Sequence, residues 1–170
     1  MTDGAATRLI VVCGPGGAGK TTLADALSRE LHVACFHKDS IKAALYDRLG
    51  LVTDRSFLVF QALIEQQLAN GVDLVVEATF HSDDVPDLLR RWRTDYGLDV
   101  LCVICHVDAE ERRRRIATRR RHAVHAEADA QQLRALDDVA DYSRLPGRHL
   151  RVATDRPLDV CVGDVLNALD

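Results

Sequence analysis

The chain has 170 residues, 47% apolar and 28% charged, a length that fits one compact domain around a single core rather than two. Twenty-two Lys and Arg against 26 Asp and Glu leave a formal charge of −4, which argues against broad salt-driven binding to nucleic acid but leaves room for a small basic pocket. Residues 1–7 lack the basic start and apolar run of a signal peptide, and no apolar stretch approaches the ~20 residues of a membrane span. A cytoplasmic protein with reduced thiols and no membrane partner is expected.

Short apolar, β-rich runs alternate with helical patterns. Residues 8–13 (RLIVVC) form a buried strand, followed by a glycine loop and a helix over 20–31. A second strand over 33–36 ends at His37-Lys38-Asp39. Helices follow over 40–49 and 55–69, the second stopped by Asn70-Gly71. A third strand over 72–76 reaches Glu77. Asp83, Asp84 and Pro86 start a helix ending near Tyr96, and Gly97 turns into a fourth strand over 98–107. The charged stretch 109–121 is helical, a less regular piece runs to about residue 126, a helix covers 128–140, and 142–148 is a loop. A fifth strand over 150–153 and a helix over 158–169 close the chain. Strands apolar throughout and separated by helices imply a parallel sheet covered on both faces. The expectation is one α/β domain over 1–170, a three-layer α/β/α P-loop fold on a five-stranded sheet.

Five cysteines stand at 13, 35, 102, 105 and 161. Cys102 and Cys105, three steps apart on one strand, fall on opposite faces, and no second pair with finger spacing follows, so a zinc site is not expected.

Gly14-Pro15-Gly16-Gly17-Ala18-Gly19-Lys20-Thr21 fits G-x-x-x-x-G-K-[ST] and stands in the required context, a buried strand before it and an amphipathic helix after it. Small residues let successive N–H groups turn inward onto phosphate oxygens, and the helix N-terminus adds partial positive charge. The stretch from Gly14 to Thr22 is therefore a nucleotide-phosphate cradle. Lys20 supplies a charge for the β- and γ-phosphates, and the Thr21 hydroxyl can ligate Mg²⁺. ATP and GTP both satisfy this loop.

No N-K-x-D follows, which counts against a Ras-type GTPase. An AAA+ or motor ATPase would need a longer chain and an apolar strand ending in Asp or Asp-Glu. Instead one carboxylate lies just past each of two strands, Asp39 and Glu77. Ligands gather at the carboxyl ends of parallel strands, so both should face the phosphate site.

These residues, together with HKDSIK, VVEATF, VDAEERRRRIATRR and VATDRPLD, resemble the small P-loop kinases. That group includes polynucleotide kinase domains, zeta-type toxins, chloramphenicol phosphotransferases and gluconate kinases, AAA-domain proteins with an adenylate-kinase-like fold. The resemblance covers most of the chain. It implies that Asp39 accepts the proton of an attacking hydroxyl, that Lys42 replaces an acceptor-side Arg, and that residues from about 115 to 129 form a short lid. It further implies that Arg115 and Arg119 act near the base and the transferring phosphate, with Arg120 an alternative to Arg119. Lys lacks the flat fork of Arg, which counts against a polynucleotide acceptor.

The implied activity is transfer of the γ-phosphoryl group of ATP, with Mg²⁺, to a small hydroxyl compound. The acceptor would enter between the 40–68 helices and the 79–85 loop, meeting Asp39, Lys42, Glu77 and Phe80, with Phe57, Phe60 and His81 nearby. Plainer roles stand beside these: Asp39 as a cap for a helix starting at Ser40, Glu77 as a buried carboxylate paired with a lid Arg, and Arg112, Arg113 and Arg114 as a solvated helix face. His37, His81, His122 and His125 lie near the site without a catalytic assignment. Rival functions are a polynucleotide 5′-hydroxyl kinase, a nucleoside monophosphate kinase and an ATP-binding regulatory module without transferase activity.

Overall fold

The computed structural model describes residues 6–53, 55–119, 122–125 and 141–170. Its five strands are β1 (Arg8–Cys13), β2 (Ala34–His37), β3 (Leu74–Glu77), β4 (Asp99–His106) and β5 (Arg148–Ala153). All neighbours pair in parallel, in the order β2-β3-β1-β4-β5. The helices are α1 (Lys20–Leu31), α2 (Lys38–Leu49), α3 (Ser56–Ala69), α4 (Val85–Tyr96), α5 (Ala109–Thr118) and α6 (Leu158–Leu169), with a 3-10 turn at Ala123–His125.

Alternation along the central strands divides the interior in two. Leu9, Val11, Val76 and Cys102 face Phe60, Ile64, Leu89 and Trp92 of α3 and α4. Ile10, Val12, Val75 and Cys105 face Leu23 and Leu27 of α1 and Val165 of α6. Successive side chains must point to opposite faces of a strand, so a central strand with both faces covered is apolar at every position. Cys102 and Cys105 accordingly sit in different cores. This is the three-layer α/β/α P-loop kinase fold that the residue pattern implied, and no described helix is long and apolar enough to cross a membrane.

Element ends depart from the pattern for identifiable reasons. Strand β3 starts at Leu74, because Val72 still belongs to the turn closing α3, its N–H bonded to Gln67 O at 3.2 Å. Strand β5 starts at Arg148, since pairing with Leu101 extends it two residues before its apolar part. Helix α2 starts at Lys38, so Asp39 lies inside its first turn and the N-cap is His37. Asp39 therefore does not cap a helix starting at Ser40. Helix α5 stops at Thr118, because Arg119 adopts an extended backbone with φ −71° and ψ 139°. Arg120, the helix expected over 128–140 and the 126–129 part of the lid lie outside the described residues.

Candidate active site

The site forms at the carboxyl ends of β1, β2 and β3. Beyond Cys13 the chain runs through the glycine loop into α1, whose N-cap, Gly19, is left-handed (φ 75°) and makes no side-chain cap bond. Amides at the start of such a helix are suited to an anion. Lys20 is 9% exposed, and its Nζ donates to the Pro15 carbonyl at 2.9 Å, spanning the loop. Burial lowers its pKa. The charges of Glu77, Cys105 and Asp39 oppose that shift, and Arg119 adds to it. Lys20, Asp39, Glu77 and Arg119 thus share one electrostatic neighbourhood, although they come from α1, α2, β3 and the end of α5.

Glu77 is 6% exposed and accepts hydrogen bonds from Thr21 Oγ1 at 3.4 Å and from His37 Nδ1 at 3.1 Å. Strand parity explains this: Glu77 is two residues from Val75, so it shares the face covered by α1. Glu77 thus stands beside Thr21, facing the phosphate site as a carboxylate at the end of a parallel strand should. His37 repeats the logic from β2, two residues beyond Cys35 on the same face, and its Nε2 meets Asp25 Oδ1 at 2.9 Å. Asp25 in turn lies one helical turn after Thr21. The result is a hydrogen-bonded chain, Thr21–Glu77–His37–Asp25. Sequence reasoning set His37 aside, although the 35/37 and 75/77 parity and the 21/25 spacing carried the signal.

The oxygen donors beside the loop, the Thr21 hydroxyl and the Glu77 carboxylate, are hard ligands suited to Mg²⁺, which keeps much of its shell as water and phosphate oxygen. Thr21 would hold it directly.

Asp39 sits at the mouth of this group with its side chain 44% exposed and Oδ1 3.5 Å from Lys38 Nζ. Its backbone carbonyl accepts from His125 Nε2 at 3.2 Å, and His125 is buried. Lys42 follows one turn later on α2, partly exposed. Phe80, expected to meet the acceptor, is buried. Its ring is 5% exposed and packs with Phe60 at 6.1 Å, inside the α3–α4 core. Phe60 is likewise fully buried, which leaves Phe57 and His81 as the accessible members of that group. Phe80 also adopts a positive φ of 49°, a costly conformation for a bulky residue. Tyr142 Oη donates to the Thr79 carbonyl at 3.0 Å beside it.

Helix α5 lies against the loop, and its arginines differ sharply. Arg114 is an exposed partner of Glu111, as a solvated face requires. Arg112 is not solvated. It is 6% exposed, with Nε donating to the Gly16 carbonyl at 3.1 Å, which corrects its assignment to the solvated face. Arg115 is braced by Glu111 at 2.6 Å and by Thr154 Oγ1 and O at 3.1 and 3.0 Å. Thr154 also donates to the Ala18 carbonyl at 3.0 Å, so the β5–α6 connection, α5 and the loop are joined. A Cβ at Gly19 would approach Thr154 Oγ1 to 3.0 Å and Arg115 Nη1 to 3.3 Å, which places that guanidinium over the start of α1. Arg119, one turn on, falls past the helix end, with its N–H on Arg115 O at 3.1 Å.

A strand–loop–helix phosphate cradle with a spanning lysine, on a five-stranded parallel sheet, defines a P-loop protein of kinase-like fold. The chain belongs to the AAA domain family, whose model matches residues 9–142. Among solved structures it is similar to a candidate kinase from Chloroflexus aurantiacus J-10-fl, 25% identical with a TM-score of 0.80, covering 96% of this chain and 98% of that one. It also resembles an APS kinase from Mycobacterium tuberculosis in complex with AMPPNP and APS, at 21% identity and a TM-score of 0.68, covering 98% and 99%. A gluconokinase from Sinorhizobium meliloti 1021 superposes with a TM-score of 0.61 at 21% identity, covering 96% and 91%. No curated protein matches the sequence.

Proposed function

We propose that the protein is an ATP-dependent phosphotransferase that moves the γ-phosphoryl group to a hydroxyl of a small molecule. The observation that supports this is a buried Lys20 spanning the loop beside the Thr21–Glu77 pair, with the half-exposed Asp39 carboxylate just past the end of the neighbouring strand. A mere nucleotide clamp has no use for a half-exposed carboxylate at its mouth, whereas a transferase needs a proton acceptor there. Structural neighbours that act on small metabolites, and one that holds AMPPNP, support ATP as donor and a compact acceptor.

In this mechanism the amides of residues 14–22 and the start of α1 hold the phosphates. Lys20 exchanges its bond to Pro15 O for phosphate oxygens, and the Glu77 and Asp39 charges oppose the effect of burial on its ammonium. Thr21 would hold Mg²⁺, which would supply charge neutralisation at the phosphates. Glu77, fixed by His37, orients the Thr21 hydroxyl. Asp39 takes the hydroxyl proton of the acceptor, which approaches along α2 past Lys42. Arg119 offsets charge on the transferring group, while Arg115 positions α5 against the nucleotide side. Most of the rate gain expected of such a site is positioning and charge neutralisation.

The test is an ADP-release assay with MgATP and a panel of sugars, sugar acids, nucleosides and aminoglycoside or phenolic alcohols, repeated with Lys20→Ala. Release that depends on one acceptor class and vanishes in the variant is expected. ATP binding with no acceptor-dependent release across the panel would leave a nucleotide-binding module in place of an enzyme.

A further inference from the structure

Arg112 is charged, almost fully buried, and takes no part in the transfer just described. Its Nε donates to the carbonyl of Gly16, in the middle of the phosphate loop, across 3.1 Å. The α5 backbone lies as close: a Cβ at Gly17 would meet Arg112 O at 2.9 Å and Ile116 Cγ1 at 3.1 Å. Arg112 also acts on the Tyr142 hydroxyl, whose pKa burial raises and the guanidinium charge moderates. The guanidinium therefore stands behind the loop, on its α5 side.

The Gly16 carbonyl and the Gly17 N–H belong to one planar trans peptide group and point in opposite directions. A donor that holds the carbonyl toward α5 therefore aims the Gly17 N–H away from α5. Glycines on both sides of this peptide leave it otherwise free to rotate, and Gly17 already occupies the left-handed region with φ 78°. We infer that Arg112 is a positioning residue that locks the Gly16–Gly17 peptide so that the Gly17 N–H is presented to the nucleotide phosphates. The locked peptide spares the loop an ordering cost on binding, which is how preorganisation raises affinity. This rests on the proposed function only in requiring that the loop bind a nucleotide.

Two substitutions of matched length isolate the hydrogen bond. Arg112→Gln places an amide nitrogen at the same bond count as Arg Nε, whereas Arg112→Met places a methyl group there. ATP, ADP and adenosine binding would be measured by calorimetry for both variants and the unsubstituted protein, with melting temperatures without nucleotide as the folding control. Arg112→Met should weaken ATP and ADP binding about tenfold, the scale of one charge-assisted hydrogen bond, and leave adenosine binding unchanged. Arg112→Gln should recover most of that loss. Equal ATP affinity in the two variants overturns the inference. Failure of the unsubstituted protein to bind ATP would instead overturn the nucleotide-binding reading itself. If Arg112→Met does not fold, glycine-labelled spectra of the unsubstituted protein and Arg112→Gln decide. ADP should shift the Gly17 amide in both more than those of Gly50 and Gly97, and a silent Gly17 overturns the inference.

Discussion

His37 Nδ1 stands 3.1 Å from Glu77 Oε2, so the ends of β2 and β3 are tied side chain to side chain directly beneath the phosphate loop. Interaction with Cys35 first and Glu77 second raises the His37 pKa from 6.5 to about 10, against the opposing effect of burial. A group whose folded pKa is raised contributes stability that is full below its unfolded value and is lost as pH climbs through the folded value. Melting temperature in the absence of Mg²⁺ and nucleotide should therefore fall as pH rises from 6.5 to 10, and His37→Asn should flatten that slope. Parallel profiles for the two proteins would remove the cationic imidazolium from this network.

Asp39 stands at the mouth of the site, within electrostatic range of Lys20. Asp39→Asn preserves shape and removes the proton acceptor. Transfer to the identified acceptor should fall on the order of 10²-fold or more while ATP affinity hardly changes. Single-turnover transfer beside calorimetric ATP binding separates the two quantities. Undiminished transfer would reduce Asp39 to an element of α2.

Gly17 is where α5 and the phosphate loop come closest. An added Cβ would lie 2.9 Å from the Arg112 carbonyl oxygen, a backbone atom that no rotamer change can move, in a residue with φ 78°. Gly17→Ala should lower stability by about 1–3 kcal/mol, the usual scale of a strained left-handed position, and weaken ATP binding as well. Denaturant unfolding measures the first and calorimetry the second. Gly97 has a similar φ of 64° but open space around its Cβ, so Gly97→Ala should carry the strain without the loss of binding.

The Thr154 hydroxyl accepts from Arg115 and donates to Ala18 O, joining α5 and the β5–α6 connection to the loop. Thr154→Val keeps the shape and removes both bonds. It should cost about 1–2 kcal/mol of stability by chemical denaturation, the range for partly buried hydrogen bonds left unmade. The apparent KM for ATP should rise as well, because Arg115 loses one of its braces. An unchanged KM would show that Glu111 and the Thr154 backbone carbonyl suffice to position Arg115.

Much of the site was legible from residue order. The G-x-x-x-x-G-K-T spacing located the cradle, and unbroken apolar runs gave the parallel sheet, because a strand covered on both faces cannot afford a polar position. Asp39 and Glu77 were visible as carboxylates at strand ends. Their division of labour was not visible, since it follows from which face of the sheet α1 covers. Arg112 was hidden for a related reason: four arginines in succession look alike in sequence, and the rotation of α5 against the loop selects which is buried. Phe80 was placed by composition near the acceptor, but packing against Phe60 turned it inward.

Residue spacing alone determined that this chain makes an anion cradle on a parallel α/β sheet, because backbone amides, a lysine and a helix start need only local order to act together. Tertiary structure alone decided which distant groups complete it. Thr21, Asp25, His37 and Glu77 lie on three separate elements, as do Arg112 and Gly16 on two, and no local rule fixes the contacts between them. Those contacts depend on strand order and helix rotation, which are set by burial summed over the whole core.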